Sequence, residues 1–530
     1  MTRGEVWPLP WNVTTFNNFT HSVNPGTFRF TSTLVNCDIL QQALQRYRKW
    51  AFPGYTSTQE VSKTSKIYLA QIDVQVVKGC DNGYPQMGMD ESYTLQFNPT
   101  STTAILKANE VWGALRGLES FSQLIFKDSE GNWNVRTTTI SDKPRFPHRG
   151  ILLDCSRHYL SVGIIKRNLD LMAMNKMNVF HWHLTDIESF PYVSTKFPDL
   201  SAKGAFTPKH VYTPTQIKSV IDYARLRGIR VVAEFDTPGH VSSWEAGKPG
   251  ILATCYDDKG KNDTIYPTLL DPTKDENLQF LQQFFDEALN LFPDNYMHFG
   301  GDETDQYQLP CWVNNPTIGK WMQDQGMGKN NTALLHYYLS KLVQMVENSR
   351  PNASMIFWQE VLDQNVAPSN AIAHVWTGED YQDSMQEMDH VTKNGHFAIY
   401  SSCWYINLIK YGAVWGYVDK NDLHDRGMYY QCNPTDFNGT DAQKELVLGG
   451  EACLWGEFVD GTNIISRLWP NAGATAERLW SDLAQTKSVD AAWPRLHEHQ
   501  CRMMARGYEV QPANGPSFCP DFWDPYPSLD

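Results

Sequence analysis

From residue 149 onward, short and nearly continuous apolar runs alternate with longer stretches whose apolar positions recur every three or four residues. Eight short runs read as strands: Arg149–Ser156, Val179–Asp186, Ile229–Asp236, Tyr296–Glu303, Met355–Glu360, Ala371–Glu379, His396–Tyr405 and Val447–Glu457. A brief apolar run bounded by turn residues fits a strand buried on both faces, as in a parallel sheet. Between the runs, Gly163–Lys176, Pro214–Arg227, Glu276–Leu291 and Ala333–Asn348 have the spacing of amphipathic helices. Eight βα units predict an α/β fold, a (β/α)8 TIM barrel with long loops. An open doubly wound sheet is the competitor, but no G-x-G-x-x-G turn follows the first strand.

The first 145 residues read differently. Ile67–Val74 and Ser92–Phe97 are strand-like, and Glu110–Phe126 has Val111, Leu115, Leu118, Ser122 and Ile125 at helical spacing. This predicts a small α+β domain. The segment Ser141–Pro147 holds two prolines and no periodicity, so a boundary is expected there, with residues 1–145 preceding a barrel over 146–530. Neither solenoid repeats nor low-complexity tracts occur.

In a TIM barrel, the C-terminal strand ends carry the active site. Here they read Asp154-Cys155-Ser156-Arg157-His158, His183-Leu184-Thr185-Asp186, Glu234-Phe235-Asp236-Thr237-Pro238-Gly239-His240 and Gly300-Gly301-Asp302-Glu303. Then come Trp358-Gln359-Glu360, Trp376, Trp404-Tyr405 and Trp455-Gly456-Glu457. Carboxylates supply acid and base, and indole faces hold a sugar ring, so this rim points to a glycosidase pocket. Neighbours on a regular strand face opposite ways. Gly300-Gly301 loosens that geometry and lets both Asp302 and Glu303 reach one cavity. Two close carboxylates do not both ionise easily, so one pKa is expected to rise and the other to fall. The plainer reading of the pair is a helix N-terminus. Arg157 suits either a structural bridge to a carboxylate or a clamp on sugar hydroxyls.

His181-x-His183 raises a metal reading, but no further ligand spacing completes a site. The two histidines are expected to pack and hydrogen-bond at the barrel mouth. His497-Glu498-His499 lies in a late helical run and suits a solvated or structural role.

Composition adds constraints. The 530 residues carry a formal charge of −14, which argues against a nucleic-acid partner. The 18 Trp and 24 Tyr suit an amphipathic ligand such as a sugar. No run is long enough to span a bilayer. The chain opens without the apolar core of a signal peptide, so a mature form with its signal removed is expected. The ten Cys include no C-x-x-C, and N-x-S/T sequons open at Asn12, Asn18, Asn262, Asn330, Asn352 and Asn438. Together these favour a disulfide-bonded, glycosylated protein of the secretory pathway, lysosomal or secreted. The alternative is a cytosolic enzyme with buried thiols.

Five strings carry a family resemblance: Asp154-Cys155-Ser156-Arg157-His158-Tyr159, Phe180-His181-Trp182-His183-Leu184, Ala233-Glu234-Phe235-Asp236-Thr237-Pro238-Gly239-His240, His298-Phe299-Gly300-Gly301-Asp302-Glu303, and Gly449-Gly450-Glu451-Ala452-Cys453-Leu454-Trp455-Gly456-Glu457. The chain closely resembles family 20 glycoside hydrolases of the animal lysosomal β-N-acetylhexosaminidase type, over nearly its whole length. The resemblance implies an exo-acting enzyme that removes terminal β-linked GlcNAc or GalNAc from an oligosaccharide or glycoconjugate. It implies a retaining, substrate-assisted reaction in which the 2-acetamido oxygen attacks the anomeric carbon. Glu303 would be acid and then base, Asp302 would accept the acetamido N–H, and Tyr405 would orient the acetamido oxygen. Trp358, Trp376 and Trp455 would wall the pocket, Arg157 and Glu457 would bind hydroxyls, and Asp186 and His240 would tune Glu303. The scheme needs no metal or organic cofactor.

The resemblance also implies the pairs Cys37–Cys80, Cys255–Cys311 and Cys501–Cys519, an additional Cys403–Cys432 bridge, free buried Cys155 and Cys453, and a homodimer. After Tyr405-Ile406 the chain has Asn407-Leu408. The two mammalian subunit types carry Asn-Arg or Asp-Leu here, so this chain is a hybrid. Without the Arg, a preference for neutral substrates is expected.

Competing functions are a catalytically silent sugar-binding barrel, a related endo-chitinase and a metal-dependent hydrolase. The intact Asp302, Glu303 and Tyr405 oppose the first, and the missing D-x-x-D-x-D-x-E strand opposes the second. Sensitivity to a chelator would reveal the third.

Overall fold

A computed structural model describes the chain except residues 1, 57–67, 82, 258, 263–267, 305–309, 364–370, 379, 409–428, 514–515 and 521–530, and the side chains of 17–19 and 408. The N-terminal part builds one mixed sheet from β1 (Asn12–Val23), β2 (Arg29–Thr31), β3 (Tyr68–Leu69), β4 (Gln71–Val76), β5 (Tyr93–Gln96), β6 (Thr103–Ala108), β7 (Ile125–Lys127) and β8 (Trp133–Asp142). The order along the sheet is β2-β4-β6-β5-β8-β1-β3, with β7 added on β8. The run read as one strand over Ile67–Val74 is broken at Ala70; Ile67 lies outside the described residues. Tyr68–Leu69 pairs with β1, and Gln71–Val76 pairs with β2 and β6. Two helices, α1 (Asp38–Trp50) and α2 (Val111–Gln123), complete this part. The helix read to Phe126 ends at Gln123, because Ile125 already pairs with Val135 in the sheet.

The barrel strands are β9 (His148–Asp154), β10 (Val179–His183), β11 (Arg230–Glu234), β12 (Tyr296–His298), β13 (Ser354–Trp358), β14 (Ile372–Val375), β15 (Phe397–Tyr400) and β16 (Val447–Leu454). They close in chain order, and β16 pairs in parallel with β9. Every second residue points into the lumen. Val179, Val232, Ile356, Ile372 and Ile399 form an apolar layer there. Phe180, Trp182, Val231, Ala233 and Phe357 belong instead to the core shared with the outer helices. Two residues on from the apolar layer, the same strands carry His181, Glu234, Trp358 and His374, all buried.

Buried charge joins the two parts. Every residue of α2 is buried, as expected of a helix enclosed on all sides. Its Arg116 donates to Glu91 (2.8 Å) and to the carbonyls of Arg227 (3.0 Å) and Gly228 (2.7 Å). Arg149 at the start of the barrel donates to the same Glu91 oxygen at 2.6 Å. Nearby, Lys176 pairs with Asp142 at 2.9 Å, and Trp480 donates to Asp142 at 3.0 Å. The first residues lie on the barrel's final helices: the Gly4 N–H donates to Glu498 (2.6 Å) and the Trp7 indole to Gly473 (3.0 Å). His497, Glu498 and His499 are therefore buried and structural rather than solvated.

Disulfides join Cys37–Cys80, Cys255–Cys311, Cys403–Cys432 and Cys501–Cys519, while Cys155 and Cys453 are free and buried. Asn12, Asn262, Asn330, Asn352 and Asn438 are exposed; the side chain of Asn18 lies outside the described residues. Among the described residues no helix is long and apolar enough to cross a membrane. Replacing Glu91 with Gln would leave two buried guanidinium groups without their shared anion. The expected loss is about 3–5 kcal/mol, read as a lower denaturation midpoint. A midpoint equal to wild type would show that Glu91 does not hold the two parts together.

Candidate active site

The candidate site begins where β12 stops. The strand ends at His298, well short of the Glu303 limit read from the sequence, and the chain then turns through Gly300 (φ 70°) and Gly301 (φ 95°). A Cβ on Gly300 would lie 1.7 Å from Asp236 Oδ1, and one on Gly301 would lie 2.3 Å from Val361 Cγ2. Only glycine fits both the positive φ and the close approach. The Gly301 N–H donates to Asp236 Oδ1 at 2.9 Å, which fixes the turn. Asp302 follows as a buried residue, and Glu303, at φ 52°, turns outward with its side chain about half exposed (54%). His240 is likewise left-handed, at φ 58°. Such conformations in non-glycine residues cost on the order of 1–3 kcal/mol and concentrate at functional sites.

His240 bridges the two acid-bearing turns. Its Nδ1 donates to Asp186 Oδ1 (3.0 Å), and its Nε2 lies 3.4 Å from Glu303 Oε2 and 3.7 Å from Asp302 Oδ2. Burial disfavours the imidazolium, but Asp186, Asp302 and Asp236 outweigh it and carry the His240 pKa well above its ordinary value. That cation, 3.4 Å from Glu303, holds the Glu303 carboxyl below its usual range. In the Asp302–Glu303 pair, where one carboxyl was expected to rise and the other to fall, Glu303 is thus lowered. The carboxyls pushed up by burial and by the charge of Asp302 are its neighbours: Asp236, well above its ordinary value, and Glu360, to about 8.

Asp186 also accepts from His183 Nε2 (2.8 Å) and pairs with Arg157 (2.8 Å). Arg157 further meets Asp154 and Glu188, each at 3.2 Å, and stacks over the Trp455 ring at 5.2 Å. These contacts fix its guanidinium at the rim, with Glu457 exposed beside it and close enough to add to its charge stabilisation. Asp154 accepts the Gly456 N–H at 2.9 Å, which ties the β9 and β16 ends together.

Beside the carboxylates stands an aromatic box. Trp376 stacks on Tyr405 (5.9 Å, 22°), and Trp455 lies 6.3 Å from Tyr405 and 6.0 Å from Trp358. Burial, Cys453, Asp302 and Glu360 keep the Tyr405 phenol protonated far above its ordinary pKa. Asp302 Oδ1 is buried with no hydrogen-bond partner among the described residues, and so is Asn407 Oδ1. A buried acceptor left empty is costly and awaits a donor. The side chain of Leu408 lies outside the described residues.

His183 and His181 are both engaged by carboxylates. His183 Nδ1 donates to Glu234, and His181 Nδ1 donates to Glu451 at 2.8 Å. His181 sits in the lumen below the mouth and stacks on His298 at 4.7 Å. The ligand atoms of His181, Glu234 and His298 converge within 4.8 Å, as do those of Asp236, His240 and Asp302. In both groups imidazole–carboxylate contacts already supply opposite charge at close range.

A sequence profile for the catalytic domain of glycosyl hydrolase family 20 matches residues 146–483, and one for beta-acetyl hexosaminidase-like domains matches 6–124. The chain is 45% identical over 528 residues to Beta-hexosaminidase A of Caenorhabditis elegans, covering 99% of this chain and 94% of that protein. It is 43% identical over 517 residues to the Homo sapiens Beta-hexosaminidase subunit beta, covering 96% and 88%. The chain belongs to glycosyl hydrolase family 20. Among solved structures it is similar to the Flavobacterium johnsoniae chitobiase, with a TM-score of 0.78 and 29% identity over 95% of this chain and 73% of that one.

Four participants in this family 20 site carry no role in the sequence reading: Glu234, Asp236, Gln359 and Glu360. Glu360 accepts the Trp376 indole N–H (3.0 Å), and Gln359 accepts the Trp376 backbone N–H (2.9 Å), so the pair fixes one wall of the box. Their position at strand ends was visible, but their partners lie on other strands. Gly300→Ala would push Asp236 aside and move the acid-bearing turn. A shift of about 1 Å is enough for an expected loss of about 10²-fold in kcat. Near-normal kcat in steady-state assays would show that the turn does not set the acid.

Proposed function

We propose that this β-N-acetylhexosaminidase removes terminal β-linked GlcNAc or GalNAc from the non-reducing end of its substrate, with retention, using the substrate's own acetamido oxygen as nucleophile. The observation that carries the reading is the unpartnered Asp302 Oδ1, buried near an aromatic box that contains a protonated phenol. An acetamido group supplies what this arrangement lacks: an N–H for Asp302, a carbonyl for Tyr405 and a methyl for the indole faces of Trp358, Trp376 and Trp455.

In the first step Glu303 gives its proton to the glycosidic oxygen while the acetamido oxygen bonds to the anomeric carbon. The aglycone leaves as an alcohol, and Asp302 stabilises the positive charge spread over the resulting oxazolinium. Glu303, now a carboxylate, takes a proton from water, which opens the ring and returns the acetamido group. Preorganised attack within one molecule substitutes for a protein nucleophile. Arg157, Asn407 and Glu457 contact ring hydroxyls, and the absence of an arginine after Asn407 favours neutral substrates. The disulfides and exposed sequons support a lysosomal or secreted enzyme, and the family resemblance supports a homodimer.

Glu303→Gln is expected to lower kcat/KM by roughly 10²–10⁴-fold on an unactivated disaccharide, and far less on a dinitrophenyl glycoside that needs no acid. Equal losses on both would reject the acid role. A substrate with hydroxyl in place of acetamido should react about 10⁵-fold more slowly; comparable rates would remove the acetamido nucleophile from the scheme.

The pH dependence follows from His240. The acid must be protonated, so kcat/KM falls as pH rises through the Glu303 pKa, and the lowered pKa places that fall in the acidic range. In His240→Asn the cation is gone and the fall moves to higher pH. A profile that stays in place or moves down would exclude His240 as the group that sets it.

A further inference from the structure

One buried carboxylate touches both halves of this reaction. Glu234 ends β11 with its side chain in the lumen, fully buried. Its Oε1 accepts the Trp358 indole N–H at 2.8 Å, and its Oε2 accepts from His183 Nδ1. From His183 the contacts continue through Asp186 (2.8 Å) and His240 (3.0 Å) to Glu303 (3.4 Å). In the other direction Trp358 is the inner member of the box, 6.0 Å from Trp455 and 6.4 Å from Trp376. The side chains that would grip the acetamido group and those that would hold the acid thus meet on the two oxygens of a single group.

We propose that Glu234 is a positioning residue shared by both halves of the reaction: one oxygen sets the Trp358 face of the acetamido pocket, and the other anchors the His183–Asp186–His240 chain that presents a cation to Glu303. The inference rests on the substrate-assisted reading above. Its physical basis is that a carboxylate accepts at both oxygens, whereas an amide offers one acceptor and one donor. In Glu234→Gln either the indole or His183 must face an N–H where it met an acceptor. One arm is lost, and the buried His183 keeps only one of its two countercharges, Asp186.

Two substrate series separate this role from a merely structural one. Leaving groups graded in pKa report on the acid. Acetamido groups graded by fluorination, which weakens the carbonyl as a nucleophile, report on the pocket. His183→Asn keeps an N–H in place of Nδ1 for Glu234 but deletes the donor to Asp186. It is expected to increase the spread of rates across leaving groups by roughly ten- to hundredfold, the effect of losing a charged hydrogen bond, with the fluorination series unchanged. Trp358→Phe should change the fluorination series alone, and Glu234→Gln should change both.

A common factor across every substrate in Glu234→Gln, or a change in one series only, overturns the proposal. Should Glu234→Gln fail to fold, the two single-arm variants decide: each altering its own series supports the shared anchor, and each altering both series, or neither, rejects it. If the wild-type enzyme itself is insensitive to fluorination, the acetamido mechanism fails instead, and that outcome is distinct from any of these.

Discussion

Closing eight parallel strands on themselves leaves a lumen with no room for bulk water, and every second residue of each strand must find its partner there. Apolar residues meet that demand by packing, as Val179, Val232, Ile356, Ile372 and Ile399 do. Polar residues must satisfy one another, because an unpaired buried charge is far more costly than a paired one. The polar lumen positions answer with imidazole opposite carboxylate: His148 and His181 on Glu451 (2.6 and 2.8 Å), and His183 on Glu234. Burial alone would raise both glutamates, yet the neighbouring histidines draw Glu234 and Glu451 well below the ordinary carboxylate range. The site at the mouth stands on this charge-compensated floor.

The same economy governs the seam between the two parts of the chain. Glu91 is shared by Arg116 and Arg149, and Asp142 is shared by Lys176 and Trp480. All are buried. Such contacts contribute little net stability compared with an apolar seam, but they tolerate almost no displacement. Arg149 is the second residue of β9, the strand that ends in Asp154 at the candidate site. The register of the N-terminal sheet against the barrel is therefore coupled, through one strand, to the residue that ties Arg157 and Gly456 in place.

At the mouth, strain and charge are combined. Two glycines at positive φ allow Asp302 to face inward while Glu303 turns outward toward His240. Glu303, the proposed acid, is half exposed and held as a carboxylate by a neighbouring cation. A bound sugar that covers it would exclude solvent from this carboxylate and shift its balance towards the protonated form.

Much of this was legible in the chain itself. The alternation of short apolar runs and amphipathic stretches predicted eight strands in the right order, because that periodicity is local, and the strand-end strings carried the family resemblance. Strand lengths were less legible: β12 stops at His298 because Gly300 and Gly301 leave the sheet there. What only the tertiary structure decided is which charges meet. Glu234 and Trp358 stand 124 residues apart, and Glu451 and His181 stand 270 apart; no spacing rule connects them. The sequence pattern led to the expectation of a split Asp302–Glu303 pair without saying which carboxyl falls, because a pKa answers to every charge within a few ångströms. His240, brought in by the turn after β11, decided the direction for Glu303.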